Sequence, residues 1–281
     1  MEAGKKTVLV TGGAKGIGRQ VCLTMAEEGY NVIANYRTDE DAARTLQRQI
    51  EEMGRRCEII YGDMSVIEDI RTMYQKAYEA FDTIDVVVNN AGISSEVYFL
   101  DATEEMFDHM TAVDWKGVFF SSQIAAKEMM KRKTEGVIIN VSSNQVDGCW
   151  PRATIYAPTK AAVTKFTKNA AMELAGTGVR MVAIAPGYTD VGWEPGDIRL
   201  EAAQRLPLRR FASTKEIARG VVYLASEDAA YMLGSTLTID GGATLPVVAA
   251  NEDVYKRQMM CLLRRKRLLT IRNPLAVIAT T

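Results

Sequence analysis

Apolar runs of strand length alternate with segments of helical periodicity through the first 250 residues, and this alternation restricts the fold more than any other feature. The runs are nearly continuous in valine and isoleucine, which is typical of parallel strands covered on both faces. Repeated β-α-β units predict an α/β fold with a doubly wound parallel seven-stranded sheet (a Rossmann fold) and right-handed crossovers. No low-complexity linker interrupts the pattern, so residues 1–250 are predicted to form a single domain.

The predicted strands are Thr7–Thr11, Asn31–Arg37, Arg56–Asp63, Ile84–Asn89, Gly136–Ser143, Arg180–Pro186 and Ser235–Asp240. The predicted helices are Arg19–Glu28, Glu40–Met53, Ile67–Phe81, Thr103–Arg132, Pro158–Ala175 and Thr214–Ser226. Ser213 and Glu216 form a capping-box pattern ahead of the last of these helices, which supports its predicted start.

A glycine-rich turn, TGGAKGIGR over residues 11–19, follows the first predicted strand and opens a helix. Glycines permit a tight turn and a close approach of the backbone to a pyrophosphate, and the helix N-terminus offers free N–H groups. In this context the turn indicates dinucleotide binding, while the lack of a following Gly-Lys-Ser/Thr argues against a P-loop. The cofactor-binding candidates in the turn are Gly12, Lys15, Gly16, Ile17 and Gly18.

The end of the second strand bears on which dinucleotide is bound. An acidic residue there would bind the ribose hydroxyls of NAD, and the segment Asn35–Arg37 contains none. Lys15 and Arg37 are instead two cations in reach of a 2′-phosphate. The sequence therefore favours NADP(H) and leaves NAD(H) open, because Arg37 could also be a solvated side chain at the start of a helix.

Tyr156 and Lys160 are four residues apart, so on a helix their side chains lie on one face. An ammonium beside a phenol favours the phenolate, which lets a tyrosine accept or donate a proton. Pro158 is compatible only with a first helical turn, so Tyr156 is expected where a helix begins. Ser143 ends a predicted strand, where open α/β sheets place their ligands. The Y-x-x-x-K spacing also arises by chance in many helices, so its weight comes from the other motifs.

Taken in order and spacing, these motifs resemble the short-chain dehydrogenase/reductase family across essentially all of residues 5–245. The resemblance rests on the glycine turn, Asn89–Gly92, Ser143, Tyr156 with Lys160, and Pro186-Gly187. It implies that Tyr156 is the general acid/base, that Ser143 holds and polarises the substrate oxygen, and that Lys160 binds the nicotinamide ribose. The further cofactor-binding residues that it implies are Asp63, Met64, Asn89, Ala91, Gly92, Pro186, Gly187 and Thr189.

Two positions depart from the family pattern. Asp114 stands where the family usually has an asparagine that supports a water relay from the lysine to solvent. A carboxylate can also hold a water, so Asp114 is a catalytic candidate, but its charge near Lys160 is expected to reduce efficiency. Val191 stands where a hydroxyl residue normally contacts the nicotinamide carboxamide, and Thr189 is the expected substitute.

The substrate is constrained less tightly than the reaction. The segment Asn35–Asp41, the Trp150-Pro151 pair and the segment Tyr231–Gly242 look most like bacterial glucose 1-dehydrogenases, which implies a sugar or polyol. A 3-oxoacyl, steroid or other carbonyl reductase is the alternative. The candidate substrate residues are Ser94, Ser95, Asn144, Gln145, Trp150, Tyr188 and Trp193. Amides suit hydroxyl recognition, and aromatic faces can stack on a sugar ring; alternatively, both tryptophans simply cover the lid of the site. A mobile substrate lid is predicted over Tyr188–Leu206.

The predicted reaction is reversible hydride transfer between a nicotinamide and a secondary alcohol or its ketone. Family resemblance implies a homotetramer (or dimer) joined by the helices Thr103–Arg132 and Pro158–Ala175 and by the last strand. A non-catalytic dinucleotide sensor of the same fold is the rival from another class, and the joint presence of Ser143, Tyr156 and Lys160 argues against it. An epimerase or dehydratase would need a longer C-terminal substrate domain.

The remaining features suit a cytoplasmic protein with a small-molecule substrate and no membrane or nucleic-acid partner. No apolar run reaches the ~20 residues that span a bilayer, and no signal peptide is expected ahead of the first strand. Four scattered cysteines fit a reducing compartment. The single histidine, His109, is interpreted as a surface helix residue and argues against a metal site.

The segment 251–281 differs from the rest of the chain. It carries seven Lys/Arg and two Asp/Glu, against 27 and 33 in the other 250 residues. A basic arm would ordinarily suggest a nucleic-acid or membrane contact. Asp253–Gln258, however, looks like the in-frame translation of a transposase adapter used in sequencing libraries, and the sheet pattern has already ended at Gly242. We interpret 251–281 as an artefactual, adapter-derived tail that belongs to no evolved fold.

Overall fold

The computed structural model describes residues 6–94, 96–193 and 202–245. The chain divides into two units, Met1–Thr244 and Leu245–Thr281, and the sheet and its helices belong to the first. The predicted adapter-derived tail lies outside the described residues, and so do Ser95 and residues 194–201 of the predicted lid. The interpretations of these segments stay predictions.

The structure describes nine strands: β1 (Thr7–Val10), β2 (Asn31–Tyr36), β3 (Cys57–Tyr61), β4 (Val86–Asn89), β5 (Gly136–Val141), β6 (Val179–Pro186), β7 (Thr189–Asp190), β8 (Ala212–Ser213) and β9 (Thr236–Ile239). Seven of them form one parallel sheet in the order β3-β2-β1-β4-β5-β6-β9. This order confirms the predicted doubly wound sheet. The order reverses between β1 and β4, and such sheets bind ligands outside the carboxyl ends of the strands at this point.

The described α-helices are α1 (Gly16–Glu27), α2 (Glu40–Glu52), α3 (Ile67–Ala80), α4 (Glu104–Thr111), α5 (Val118–Arg132), α6 (Tyr156–Leu174) and α7 (Thr214–Ala225). Helices α1, α2 and α7 cover one face of the sheet, and α3, α5 and α6 cover the other. Along β1, Val8 and Val10 pack in the first core and Leu9 in the second, which explains the uninterrupted apolar strand. None of the helices described is both long and apolar enough to cross a membrane.

The segment predicted as one helix, Thr103–Arg132, is interrupted. Helix α4 ends at Thr111, residues Ala112–Gly117 form a π-helical turn, and α5 follows directly. Gly117 lets this turn pack closely, because a Cβ there would overlap the carbonyl oxygen of Met64. Single π-turns are frequent at functional sites, and this one carries the buried Asp114. His109 is exposed on α4, as predicted.

The pair β7–β8 was not predicted. Thr189 pairs with Ala212 and Asp190 with Ser213, which brings the chain after β6 beside the start of α7. Strands of two residues are too short to show the alternation on which sequence reading depends. The pair therefore fixes the chain on both sides of the predicted lid without leaving a sequence pattern.

Candidate active site

The glycine turn after β1 is held by its neighbours. Gly12 and Gly16 adopt φ angles of +62° and +54°, in the left-handed region that favours glycine. The N–H of Gly12 donates to Asn35 Oδ1 at 3.1 Å, so β2 orders the turn. A Cβ at Gly18 would overlap the carbonyl oxygen of Gly12, so α1 can start this close to the turn only with glycine there.

The N-terminus of α1 fits an anionic group. Its N-cap is Lys15, no side chain among the described residues caps it, and its first turn contains no acidic residue. The first N–H groups of α1 are therefore available to a ligand, and the helix dipole adds positive potential. A dinucleotide pyrophosphate is the group that such a turn and helix accept.

Asn90 ties the turn after β4 to the glycine turn. Its Nδ2 donates to the carbonyl oxygens of Thr11 and Gly12 at 2.9 and 3.2 Å. Thr11 Oγ1 in return accepts the N–H groups of Asn90 and Ala91, both at 3.0 Å. Asn90 was not predicted as a site residue. Its position within the motif Asn89–Gly92 is the sequence feature that could have indicated a role.

Asn89 lies behind the site, in a buried polar network. Its Oδ1 accepts the hydroxyl of Ser121 at 2.6 Å, and its Nδ2 donates to Asn140 Oδ1 at 2.8 Å. Asn140 Nδ2 donates in turn to Thr167 Oγ1 at 3.0 Å. The network joins β4 and β5 to α5 and α6, so Asn89 supports the architecture of the site. Its direct contact with a cofactor, implied by the resemblance, stays a prediction.

Strand β5 and helix α6 bring the predicted catalytic residues together. Ser143 follows β5, and its Oγ accepts the N–H of Gln145 at 3.2 Å. Tyr156 is the first residue of α6 and Pro158 lies in its first turn, as the sequence predicts. Lys160 Nζ lies 5.6 Å from the centroid of the Tyr156 ring. Ser143, Tyr156 and Lys160 line one cavity of 510 Å³.

Asp114 lies behind Lys160. The Lys160 ammonium is buried and donates to the carbonyl oxygen of Val141 at 3.2 Å. Asp114 Oδ1 accepts the N–H of Ile93 at 2.8 Å, while Oδ2 has no hydrogen-bond partner among the described residues and lies 3.9 Å from Lys160 Nζ. Burial raises the pKa of Asp114, and the charge of Lys160 opposes that rise. Asp114 Oδ2 is therefore able to accept a further hydrogen bond at a position next to the lysine.

Most of the predicted site residues line two adjoining cavities. The catalytic cavity, of 510 Å³, is lined by the predicted residues Ile17, Ser94, Ser143, Asn144, Gln145, Tyr156, Lys160, Pro186, Gly187, Tyr188, Thr189 and Trp193. The loop cavity, of 180 Å³, is lined by Gly12, Lys15, Arg37, Asp63, Met64 and Ala91. Gly92 and Ile93 line both cavities, so the two are contiguous. Gly16, Gly18, Asn89, Asp114 and Trp150 lie outside both linings.

An aromatic cluster forms one wall of the catalytic cavity. Tyr188 stacks on Phe211 with ring centroids 5.5 Å apart, and Trp193 meets Phe211 edge-on at 5.1 Å. Trp150 Nε1 donates to the Tyr188 hydroxyl at 2.8 Å, so Trp150 holds Tyr188 without lining the cavity itself. Phe211 was not predicted, because it follows the lid segment; it contacts Tyr188 and Trp193 next to the β7–β8 pairing.

The departure at Val191 and its expected substitute, Thr189, both lie at β7. Thr189 is buried and donates its hydroxyl to the carbonyl oxygen of Gly187 at 3.0 Å. Val191 is half exposed and lies over the glycine turn, since a Cβ on Gly16 would lie 3.6 Å from Val191 Cγ1. Thr189 lines the catalytic cavity, and its proposed replacement of the missing hydroxyl at Val191 stays a prediction.

Each cation predicted to recognise a 2′-phosphate faces a carboxylate. Lys15 Nζ lies 2.6 Å from Asp39 Oδ2, and Arg37 Nη1 lies 3.6 Å from Asp63 Oδ2. All four residues line the loop cavity. Asp39 was not predicted as a site residue, although an aspartate directly before a helix is a typical N-cap signal.

Comparison with known proteins gives consistent matches. Residues 12–244 match the protein family described as Enoyl-(Acyl carrier protein) reductase. A 3beta-hydroxysteroid dehydrogenase 1 from Eggerthella lenta is 37% identical over 245 residues, which cover 85% of this chain and 94% of that protein. A 3-oxoacyl-acyl-carrier-protein reductase FabG from Staphylococcus epidermidis is 34% identical over 240 residues, covering 84% of this chain and 98% of the relative.

A solved structure of a short chain dehydrogenase from Burkholderia cenocepacia, in complex with NADP, superposes with a TM-score of 0.79. It is 29% identical, and the match covers 85% of this chain and 97% of that one. Together with the site geometry, these matches define an oxidoreductase of the parallel α/β class that acts on CH–OH or carbonyl groups. The chain belongs to the short-chain dehydrogenase/reductase family, which confirms the resemblance seen in the sequence.

Proposed function

We propose that this chain is an NAD(P)-dependent oxidoreductase that interconverts a secondary alcohol and a ketone, or a sugar hydroxyl and a lactone, with Tyr156 as the general acid/base and with NADP(H) favoured over NAD(H). The observation that carries the proposal is the meeting of Ser143, Tyr156 and Lys160 in one cavity. That cavity is contiguous with the loop cavity beside the glycine turn. A nicotinamide bound there would accept hydride from the carbinol carbon, or return it.

The proton chemistry follows from the positions of three side chains. In the oxidative direction Tyr156, as phenolate, takes the proton of the substrate hydroxyl, and in the reductive direction it returns a proton. The ammonium of Lys160 lies 5.6 Å from the ring centroid, so it faces the side chain on which negative charge would form during the transfer. Ser143 Oγ accepts the N–H of Gln145, so its own hydrogen is left to donate to the substrate oxygen and stabilise charge developing there.

Asp114 is proposed to hold a water behind Lys160 and so to connect the lysine with solvent. Its Oδ1 is fixed by the N–H of Ile93, which leaves Oδ2 as the acceptor facing the ammonium. The negative charge at this place opposes the effect of Lys160 on Tyr156. An asparagine at position 114 would keep a polar group there and remove the negative charge.

Asp114→Asn is accordingly expected to preserve or raise kcat. The amide oxygen can still accept the N–H of Ile93, and the charge 3.9 Å from Lys160 Nζ is removed. Because burial raises the pKa of Asp114, the wild-type carboxyl is neutral below that pKa, and the two proteins should differ least there. The difference should grow as pH rises through the pKa. A kcat–pH profile measures it, and a large loss of kcat in Asp114→Asn would contradict the proposed role.

NADP(H) is the proposed dinucleotide because Lys15 and Arg37 both line the loop cavity. The end of β2 also supports NADP(H). The strand ends at Tyr36, and the segment Asn35–Arg37 offers no acidic residue that could bind the ribose hydroxyls of NAD. The uncapped N-terminus of α1 provides the adjoining place for a pyrophosphate.

Arg37→Asp is expected to shift the ratio of kcat/KM for NADPH over NADH toward NADH by about tenfold or more, since a cation is replaced by an anion. The matched control is Arg48→Asp, which makes the same charge reversal at an arginine on α2 outside the loop-cavity lining. Parallel assays with the two dinucleotides give the ratio. An unchanged ratio in Arg37→Asp, or an equal change in Arg48→Asp, would overturn the assignment of Arg37.

A sugar or polyol is the first candidate substrate. Gln145 lines the catalytic cavity, and its buried Oε1 has no partner among the described residues, so it can accept a substrate hydroxyl. The faces of Tyr188 and Trp193 offer an apolar wall beside it. The printed activities of the relatives make a steroid or a 3-oxoacyl ketone the alternative.

A cofactor-depletion screen against sugars, polyols, steroids and acyl ketones, with NADP(H) and NAD(H) separately, tests the reaction and the substrate class together. Turnover of a sugar or polyol supports the first candidate. Turnover of steroids or acyl ketones alone would overturn it and leave the reaction in place. Tight dinucleotide binding without turnover of any alcohol or ketone would favour the non-catalytic sensor.

The chain is also proposed to form a homotetramer (or dimer) through α5 and α6. A cleft of 620 Å³ between these helices is lined by nine apolar residues, among them Trp115, Phe119, Met130 and Phe166, and by six polar ones, among them Lys127 and Glu173. Met130 and Met172, on the same two helices, are exposed. An apolar cleft with exposed methionines beside it supports an interaction site at these helices. Size-exclusion chromatography with light scattering tests the proposal, and a monomer at micromolar concentration would contradict it.

A further inference from the structure

The positive charges of the loop cavity are already balanced within the chain. Lys15 pairs with Asp39 at 2.6 Å, and Arg37 faces Asp63 at 3.6 Å. Two cations and two carboxylates therefore line this cavity and leave no net charge from these four groups. A phosphate that binds to both cations must therefore compete with these two carboxylates.

Asp39 is the fixed member of the closer pair. Its Oδ1 accepts the N–H of Ala42 at 2.9 Å, which makes it the N-cap of α2. The pKa of Asp39 is lowered mainly by the hydrogen bond from Lys15 and next by the hydrogen bond from the N–H of Ala42. Its carboxylate is therefore ionised at neutral pH. The Lys15 side chain is 69% exposed and can turn toward a ligand. The carboxylate cannot leave with it without uncapping α2.

The second pair is looser. Asp63 Oδ1 accepts the N–H and the hydroxyl of Ser65 at 2.8 and 2.7 Å, so this carboxyl is held mainly by Ser65. The separation of 3.6 Å between Asp63 Oδ2 and Arg37 Nη1 is too long for a good hydrogen bond. Arg37 is thus less engaged than Lys15 and is available to a phosphate at little cost. Binding of the phosphate by Lys15 as well requires that the Lys15–Asp39 pair is broken.

We propose that Asp39 is a specificity-determining residue that weakens recognition of a 2′-phosphate and so keeps NAD(H) binding competitive with NADP(H). A phosphate monoester carries ~1.5–2 negative charges. To bind Lys15 it must displace Asp39 from the lysine, and it then lies beside the unpaired Asp39 carboxylate, which repels it. A 2′-hydroxyl meets neither cost, and it can donate to a carboxylate. This inference rests on the proposed dinucleotide binding at the loop cavity.

Asp39→Asn isolates the charge. Asparagine caps helices about as well as aspartate, so the start of α2 is retained while the anion is removed. The affinities of NADPH and NADH are measured by fluorescence titration at low salt, which needs no substrate. The affinity for NADPH is expected to rise about tenfold, as for removal of one like charge close to a phosphate. The affinity for NADH is expected to stay within about twofold, because an exposed ion pair contributes little by itself.

Glu40→Gln is the matched control. It removes the negative charge of the next residue, which is exposed and paired with Arg44 instead of Lys15. It is expected to leave both affinities unchanged. An unchanged NADPH affinity in Asp39→Asn, or an equal gain for NADPH and NADH, would overturn the inference while the proposed function stands. If the wild-type protein bound neither dinucleotide, the proposed function would fall, and this inference with it.

Discussion

Tyr156→Phe is expected to lower kcat by about 10³-fold, the range of a lost general acid/base, while NADPH affinity stays nearly unchanged. The substitution removes one hydroxyl at the first residue of α6 and keeps the ring. Lys160 retains its bond to the carbonyl oxygen of Val141, so the group that lies next to the ring does not lose its position. Steady-state kcat with the substrate from the screen and fluorescence titration with NADPH separate the chemical step from binding.

Tyr188→Phe is the matched control, because Tyr188 lines the same cavity and loses the same group. Its hydroxyl accepts a hydrogen bond from Trp150 at 2.8 Å, so the control loses one contact in the aromatic wall. We expect KM to rise a few-fold, as for one net hydrogen bond of about 1 kcal/mol, with little change in kcat. Equal losses of kcat in both variants would mean that Tyr156 has no special part in proton transfer.

The main elements of the fold could be predicted because their pattern is local. A strand such as β1 is covered on both faces, so its residues are all apolar and it stands out in the sequence. The π-turn Ala112–Gly117 could not be predicted, since one extra residue per turn leaves the apolar pattern of a long helix almost intact. The β7–β8 pair depends on contact between residues more than 20 positions apart.

The candidate site divides in the same way. Tyr156 and Lys160 could be placed from their spacing, since a helical turn alone brings them to one face. The role of Asn89 could not be predicted, because an amide at the end of a strand can face either a ligand or the core. The packing of α5, whose Ser121 donates to Asn89, determines which of the two it faces. The partner of Lys15 was also hidden, since Asp39 lies 24 residues away and its N-cap position is what fixes it beside the lysine.

Gly18→Ala is expected to lower kcat/KM by at least about 10²-fold, the cost of a misplacement near 1 Å in a binding site. The added Cβ would overlap the carbonyl oxygen of Gly12 and crowd Asn90 Nδ2. Gly12 cannot yield freely, because its N–H is bonded to Asn35 and its carbonyl oxygen accepts from Asn90. The glycine turn and α1 must therefore separate, and NADPH affinity measured by titration should fall together with kcat/KM.

Gly29→Ala separates this effect from a general loss of stability. Gly29 follows α1 with φ +97°, and a Cβ there would meet nothing within 4 Å, so the cost is backbone strain of about 1–3 kcal/mol. Thermal unfolding should show both variants destabilised, since overpacking at Gly18 also costs about 1–3 kcal/mol. Only Gly18→Ala should lose NADPH affinity. If both variants bound NADPH as the wild type does, the anchoring of a pyrophosphate at the start of α1 would be excluded, because α1 cannot keep its place against the turn once Gly18 carries a side chain.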